Sequence, residues 1–140
     1  MADRPTVRGV LETCLYVTDV AASRAFYERI FGFHAMVGDE RICAFDAGLG
    51  SVLILFKRGG TPKPIPIGDG FIPAHDGGGH QHYAFAIDAA DFEPWKAHLA
   101  GLGVALASEV AWPQGGRSLY FRDPDGLLVE LATPGLWRNY

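Results

Sequence analysis

The chain has 140 residues, 49% hydrophobic and 20% charged, which is an ordinary globular composition with enough apolar residues for a real core. A formal net charge of −4, with no visible basic cluster, argues against a nucleic-acid binder, and no apolar run approaches the ~20 residues that span a bilayer. No signal peptide is evident, and Cys14 and Cys43 lack disulfide or metal spacing. We expect a cytoplasmic protein that acts on a small molecule.

The first half of the chain predicts one helix and four strands. The β-branched and aromatic run Val10–Val17 predicts a strand. Asp19 or Ser23 can cap a helix over about 20–31, and Gly32 suits its end. Three shorter strands follow, around Phe33–Val37, Ile42–Phe45 and Ser51–Phe56. Residues 57–79 are rich in Gly and Pro without any period, which predicts a long connection or a functional lid.

The same order of elements then begins again. Gln81–Ile87 predicts a strand, and Asp91 can cap a helix over about 92–102. Further strands are predicted near Val104–Ala107, Ser118–Phe121 and Leu127–Leu131. The last two are joined by residues 122–126, where Pro followed by Asp-Gly is typical of a tight turn.

An internal repeat determines the predicted fold. A shift of about 70 residues superposes the first strands of the two halves, and a shift of about 76 superposes the last strands. Each half is therefore β-α-β-β-β. We predict a single α+β domain over 1–140 in which two βαβββ modules pair about a pseudo-twofold axis and form a cleft. The expected bounds are about 8–57 for module 1, 58–79 for a linker, about 80–133 for module 2 and 134–140 for a tail.

Three ionisable side chains interrupt apolar strands at repeat-equivalent positions. Alternation places Glu12 and His82 on the strand face that points away from the helix, and Glu130 on the corresponding face of the last strand. The fourth equivalent position is Ile54. Each residue alone has a structural explanation: an edge-strand carboxylate, a core histidine, or a glutamate paired with an arginine. Together they favour a metal site, because a metal is the usual way to stabilise several such groups in one cleft.

Five further residues are candidates for contact with a substrate. Cys14 and Tyr16 share the face of Glu12, Cys14 as a small cavity-lining residue and Tyr16 as an aromatic wall. His80 faces the same way as His82, as a ligand, proton shuttle or simple loop residue. Tyr120 is either a hydroxyl donor or a packed tyrosine, and Arg117 either binds an anion or is a solvated loop arginine. His34, His75 and His98 are interpreted as surface residues.

These motifs resemble the glyoxalase/bleomycin-resistance/dioxygenase (vicinal oxygen chelate) family from Val10 to Thr133. The specific segments are 12–19, the helix end at 26–33, 82–88 and, most distinctively, 120–130. The resemblance implies paired βαβββ modules, a divalent metal in the cleft, and a homodimer in which Glu12 of one subunit meets His82 and Glu130 of the other. Glyoxalase I enzymes use four protein ligands, whereas the fourth position here is Ile54.

Two carboxylates and one imidazole suit Mn²⁺, Ni²⁺, Zn²⁺, Co²⁺ or Fe²⁺ and leave coordination positions open. Such a metal would act as a Lewis acid on a small oxygen-bearing substrate, with Glu12 and Glu130 as catalytic residues and Glu12 able to serve as general base. We expect a glyoxalase-like lyase, isomerase or transferase. The alternatives are an Fe(II)-dependent dioxygenase and a metal-free drug-binding protein of the bleomycin-resistance type.

Overall fold

The computed structural model describes residues 3–140. The chain divides into two compact units, and each is described by itself. Unit 1 comprises the residues up to Arg24 together with Phe33–Gly77, and unit 2 comprises Ala25–Gly32 together with Gly78–Tyr140. Within residues 3–140, no helix has the length and apolar character needed to cross a membrane.

Unit 1 is built on a four-stranded sheet. Its elements are β1 (Glu12–Val17), the start of α1 (Val20–Phe31), β2 (Ala35–Gly38), β3 (Ile42–Asp46) and β4 (Val52–Lys57). The strand order is β1-β4-β3-β2, with β1 parallel to β4 and the other pairs antiparallel. Asp19 begins α1, since its carboxylate accepts the Ala22 N–H at 3.1 Å. Gly32 ends the helix with a φ of 67°, a value that favours glycine.

The Gly/Pro-rich segment of unit 1 is more ordered than its composition predicts. It contains a hairpin of two short strands, β5 (Ile65–Ile67) and β6 (Gly70–Ile72). The ends of the segment are held together because the Thr61 hydroxyl donates to the His75 carbonyl and the Asp76 carboxylate accepts the N–H of Gly59 at 3.2 Å. The segment is therefore a closed loop belonging to unit 1.

Unit 2 repeats the arrangement. Its elements are β7 (His82–Ala86), α2 (Phe92–Gly101), β8 (Leu106–Ala111), β9 (Arg117–Arg122) and β10 (Leu128–Ala132). The strand order β7-β10-β9-β8 matches that of unit 1, again with a parallel first pair. A 3₁₀ turn at Ala89–Asp91 precedes α2, and the Asp91 side chain makes no capping hydrogen bond, in contrast to the sequence-based expectation.

The registers of the two sheets confirm the internal repeat. Glu12 pairs with Val52 as His82 pairs with Leu128, which preserves the shifts of 70 and 76 residues. Each second strand has an irregularity at the same place, between residues 35 and 37 in β2 and between residues 106 and 108 in β8. The predicted α+β class and the two βαβββ patterns are confirmed.

The C-terminal part of α1 belongs to unit 2 because its large side chains pack there. Ile30 is 2% exposed and lies in a cluster with the core of the second sheet, including Leu99, Phe121 and Leu131. Tyr27 is fully buried. Apolar burial of this size is the main stabilising term for a small unit.

Candidate functional site

A buried carboxylate lies at the centre of the second sheet, on the face turned away from α2, which we call the open face. Glu130, in the middle of β10, is 4% exposed. Its Oε1 atom accepts hydrogen bonds from the Ser118 hydroxyl at 2.6 Å and the Tyr120 hydroxyl at 3.0 Å, both from the neighbouring strand β9. Its Oε2 atom lies 3.1 Å from Nε2 of His82 on β7. Three strands therefore position one carboxylate.

The direction of the hydrogen bonds in this network follows from donor chemistry. The Trp112 indole N–H, which can only donate, lies 2.8 Å from the Ser118 hydroxyl oxygen. Ser118 accepts that hydrogen and gives its own to Glu130. The pKa of Tyr120 is raised by burial and then by the Glu130 carboxylate that accepts its hydrogen, so Tyr120 stays protonated as a donor. One oxygen of Glu130 is thereby saturated, and the other faces His82.

His82 is oriented by a backbone carbonyl. Its Nδ1 atom lies 3.0 Å from the carbonyl oxygen of Leu128, so Nδ1 must carry the hydrogen and donate it. Nε2 is then the ring nitrogen that faces Oε2 of Glu130. Histidines that bind metals are commonly fixed through the second nitrogen in this way.

The two atoms that face each other fit a metal ion. In an octahedral site with ligand distances of ~2.1 Å, adjacent ligand atoms lie about 3 Å apart, close to the 3.1 Å between Nε2 of His82 and Oε2 of Glu130. Imidazole nitrogen and carboxylate oxygen are donors that Mn, Fe, Co, Ni and Zn accept. Across residues 3–140 there is no group of three His, Cys, Asp or Glu side chains placed to hold a metal.

Glu12 and two other predicted residues lie on a pocket in unit 1. Glu12, Cys14 and Tyr16 project from β1 on the face opposite the buried Leu15 and Val17, as alternation predicts. They line a cavity of about 530 Å³. Most of the remaining wall is apolar and comes from the sheet and the hairpin: Ile42, Ile54, Phe56, Ile65 and Ile72.

Cys14 has the properties of a wall residue. Burial, followed by the neighbouring Glu12 carboxylate, raises the pKa of its thiol. The thiolate that a nucleophile requires is therefore disfavoured. This agrees with the interpretation of Cys14 as a residue that lines a cavity.

Tyr16 is held by a histidine that the sequence placed at the surface. The Tyr16 hydroxyl and Nδ1 of His75 are 2.8 Å apart, and both side chains are half-buried. His75 also packs edge-on against Phe56, with ring centroids 4.7 Å apart. The expectation of a surface role for His75 is wrong, because the closed loop brings residue 75 back over β1, a contact that no local sequence pattern indicates.

Two of the other candidates lie away from Glu130. Arg117 projects from β9 on the helix-facing side, where it pairs with Glu93 at 3.0 Å and Glu109 at 2.9 Å and stacks on the Phe92 ring at 3.7 Å. The imidazole of His80 lies over Gly126 in the turn before β10. Tyr120, in contrast, contacts Glu130 directly, and Ser118 and Trp112 join that network although neither was singled out as a site residue.

Known proteins with related sequences fall into one family. A sequence model described as "Glyoxalase/Bleomycin resistance protein/Dioxygenase superfamily" matches residues 9–131. The metallothiol transferase FosB of Bacillus licheniformis is 30% identical over 128 residues, covering 91% of this chain and 76% of that protein. The glutathione transferase FosA of Serratia marcescens is 40% identical over 60 residues, which covers 41% of this chain and 39% of that protein.

Comparison with solved structures also relates this chain to a glyoxalase-type enzyme. The crystal structure of lactoylglutathione lyase from Agrobacterium tumefaciens superposes with a TM-score of 0.86 at 29% identity, covering 96% of this chain and 99% of that one. A match of this extent involves both βαβββ units of the chain.

Proposed function

Because this chain belongs to the glyoxalase/bleomycin resistance protein/dioxygenase superfamily, we propose that it is an enzyme that binds a divalent metal through His82, Glu130 and Glu12. The observation that carries the proposal is the Glu130 network. Ser118 and Tyr120 saturate one carboxylate oxygen, while the other lies 3.1 Å from Nε2 of His82. An oriented carboxylate oxygen and an oriented imidazole nitrogen at this separation suit a shared divalent metal.

We assign the third ligand to Glu12 of a second copy in a homodimer. The absence of a three-residue cluster within residues 3–140 supports a ligand from another chain. Glu12 is exposed on β1, as a residue that binds across an interface must be. Its place is also equivalent to that of His82 in the repeat, since both pair with the first residue of the last strand.

The reaction we propose is a non-redox one on a small oxygen-bearing substrate, of the lyase or thiol-transferase kind. The names of the related proteins support this class: metallothiol transferase, glutathione transferase and lactoylglutathione lyase. When bound, the metal supplies Lewis-acid polarisation of substrate oxygens. His82 and Glu130 are held rigid for that task by Leu128, Ser118 and Tyr120, and Glu12, which is exposed on β1, is the candidate general base.

Metal content is the first test. The protein is purified without a histidine tag, and bound metals are measured by elemental mass spectrometry for the wild type and Glu130→Gln. We expect near-stoichiometric metal in the wild type and at least a tenfold loss in the variant. Glu93→Gln is the matched control, because the Glu93 side chain is 66% exposed and pairs with Arg117. Equal metal in all three proteins, or none after exposure to Mn²⁺, Ni²⁺, Zn²⁺ and Fe²⁺, would refute the site.

Complementation tests the shared site. Glu12→Gln and Glu130→Gln are each inactive in our proposal, but mixing them after mild dissociation forms heterodimers in which one site is complete. With random re-association of equal amounts, recovery of about a quarter of the wild-type metal is expected, since half of the dimers are mixed and each of these has one complete site. No recovery in mixtures that exchange subunits would refute a site shared between two chains.

Oxygen uptake separates the proposed chemistry from its main alternative. A lyase or thiol transferase consumes no oxygen with glutathione and an aldehyde or epoxide as substrates. A dioxygenase would consume one O₂ for each catechol ring it opens, with iron as the dominant bound metal.

A further inference from the structure

We propose that the unit 1 pocket binds an uncharged aromatic group and thereby selects planar apolar substrates for this enzyme. The inference rests on the proposed function only in that Glu12 belongs both to the pocket wall and to the proposed ligand set. The volume of about 530 Å³ is within the range of small-molecule sites and accommodates a fused two-ring compound.

The aromatic character of the pocket comes from neighbouring strands. Tyr16 on β1 and Phe56 on β4 are paired in register, and their rings are stacked with centroids 5.8 Å apart and an interplanar angle of 23°. The stacked pair forms one aromatic surface of the pocket. His75 closes one end of it, edge-on to both rings. Aromatic ligands gain from stacking on such a surface beyond simple burial of area.

The two hydroxyl groups of the wall are used within the protein. The Tyr16 hydroxyl bonds to His75, and the Thr61 hydroxyl donates to the His75 carbonyl. The wall carries one fixed anion, Glu12, and one fixed cation, Arg41, which give it no net charge. A ligand with a net charge would therefore meet no excess of the opposite charge, while the isoleucines and aromatic rings would strip its hydration. The wall therefore favours an uncharged ring.

Isoleucines complete the pocket on the sides away from the rings. Ile42 and Ile54 come from the sheet, whereas Ile65 and Ile72 come from the hairpin. Ile72 is 47% exposed, so a larger side chain at this position can fill the pocket without disturbing the core. A substitution at Ile72 can therefore block the pocket without changing any of its aromatic residues.

The test is calorimetric titration of the full-length protein with 2-naphthol and with decahydro-2-naphthol, its saturated counterpart. We expect 2-naphthol to bind about three- to tenfold more tightly, which is the range that ring stacking supplies. Phe56→Leu should remove that preference, and Ile72→Trp should abolish binding of both compounds. Phe71→Leu is the matched control, because Phe71 lies on the same hairpin, is 64% exposed and is not part of the wall.

Equal affinity for the two compounds, or 2-naphthol affinity that survives both Phe56→Leu and Ile72→Trp, would overturn the inference. The same titration on Glu130→Gln separates this inference from the metal proposal. Retained 2-naphthol binding in that variant, whatever its metal content, supports the pocket. If the wild type binds no metal but still prefers 2-naphthol, the proposed function fails and the pocket assignment stands.

Discussion

Replacing Tyr27 with phenylalanine tests how the turn that precedes β10 is held in place. The Tyr27 hydroxyl donates to Oδ2 of Asp123 at 2.9 Å and accepts from the Tyr83 hydroxyl. Asp123 is 6% exposed, and its other oxygen receives the N–H groups of Asp125 and Leu127, both at 2.9 Å. The substitution removes one oxygen atom and leaves a buried carboxylate oxygen without its donor.

The expected cost is that of one hydrogen bond to a charged, buried acceptor. Such bonds contribute ~1.5–3 kcal/mol, so we expect the free energy of unfolding to fall by about 2 kcal/mol at pH 7. For a chain of this size that corresponds to a drop in Tm of roughly 5–10 °C. Tyr83→Phe is the matched control. It removes the same atom but no bond to a carboxylate, and should cost only about 1 kcal/mol.

The loss of stability caused by Tyr27→Phe should also depend on pH, and Asp123 determines the direction of that dependence. Burial raises the pKa of Asp123 above its ordinary value, whereas the Tyr27 hydrogen bond opposes that shift. Ionisation of Asp123 therefore lowers stability as pH rises through its folded pKa, and more so without Tyr27. Urea unfolding from pH 4 to 8 should show a penalty for Tyr27→Phe that shrinks toward low pH. A penalty below 0.5 kcal/mol, or one constant over this range, would refute the reasoning.

Three further substitutions test other parts of unit 2. Ser118→Ala removes a hydrogen-bond donor to Glu130. It should weaken metal binding about tenfold in a competition titration with a chelator. Unchanged affinity would show that the hydroxyl does not orient the carboxylate. Gly126→Ala places a side chain at a φ of 77° and should cost about 1–2 kcal/mol in thermal unfolding; no cost would mean that the turn relaxes freely. Arg117→Gln breaks surface ion pairs and should leave both the unfolding temperature and KM almost unchanged. A rise in KM would return this residue to the substrate site.

The sheets could be predicted from the sequence because their register is set by alternation over short apolar strands. A one-residue slip would turn Leu15 and Val17 from the core to the open face, so the repeat shifts read from the sequence persist in the registers. The hairpin at 65–72 could not be predicted in this way. Its isoleucines show no period among the prolines and glycines, and its position depends on contacts such as the bond between Tyr16 and His75.

The sequence pattern singles out Glu130 and His82 of the candidate site but not Ser118, which donates to Glu130. Glu130 and His82 stand out because each interrupts an apolar strand at a repeat-equivalent position. Ser118 carries no such signal alone, since a serine in a strand is common. Arg117 could have been placed correctly from the sequence. Side chains alternate between the two faces of a strand, so Arg117 lies on the same face as Leu119 and Phe121, which are both buried. That face packs against the helix.

The repeat gives the two units opposite chemistry at the same positions. Under the shift of 76 residues, Ser118, Tyr120 and Glu130 correspond to Ile42, Ala44 and Ile54. In unit 2 these positions build a hydrogen-bonded carboxylate, and in unit 1 two of them, Ile42 and Ile54, line the apolar pocket. The repeat therefore places an equivalent strand position in each unit. The side chains next to that position determine whether a buried charge is tolerated there.

This contrast makes a quantitative prediction for Ile54→Glu. Ile54 is 8% exposed, and the residues that correspond to the two donors are Ile42 and Ala44, which have no side-chain hydrogen to give. The new carboxylate should lower the free energy of unfolding by about 2–4 kcal/mol at pH 7, measured by urea unfolding. Adding Ile42→Ser supplies the donor that Ser118 provides in unit 2. A double-mutant cycle with Ile42→Ser alone should show about 1 kcal/mol of favourable coupling. If there is no coupling, satisfied hydrogen bonds are not what allows Glu130 to be buried.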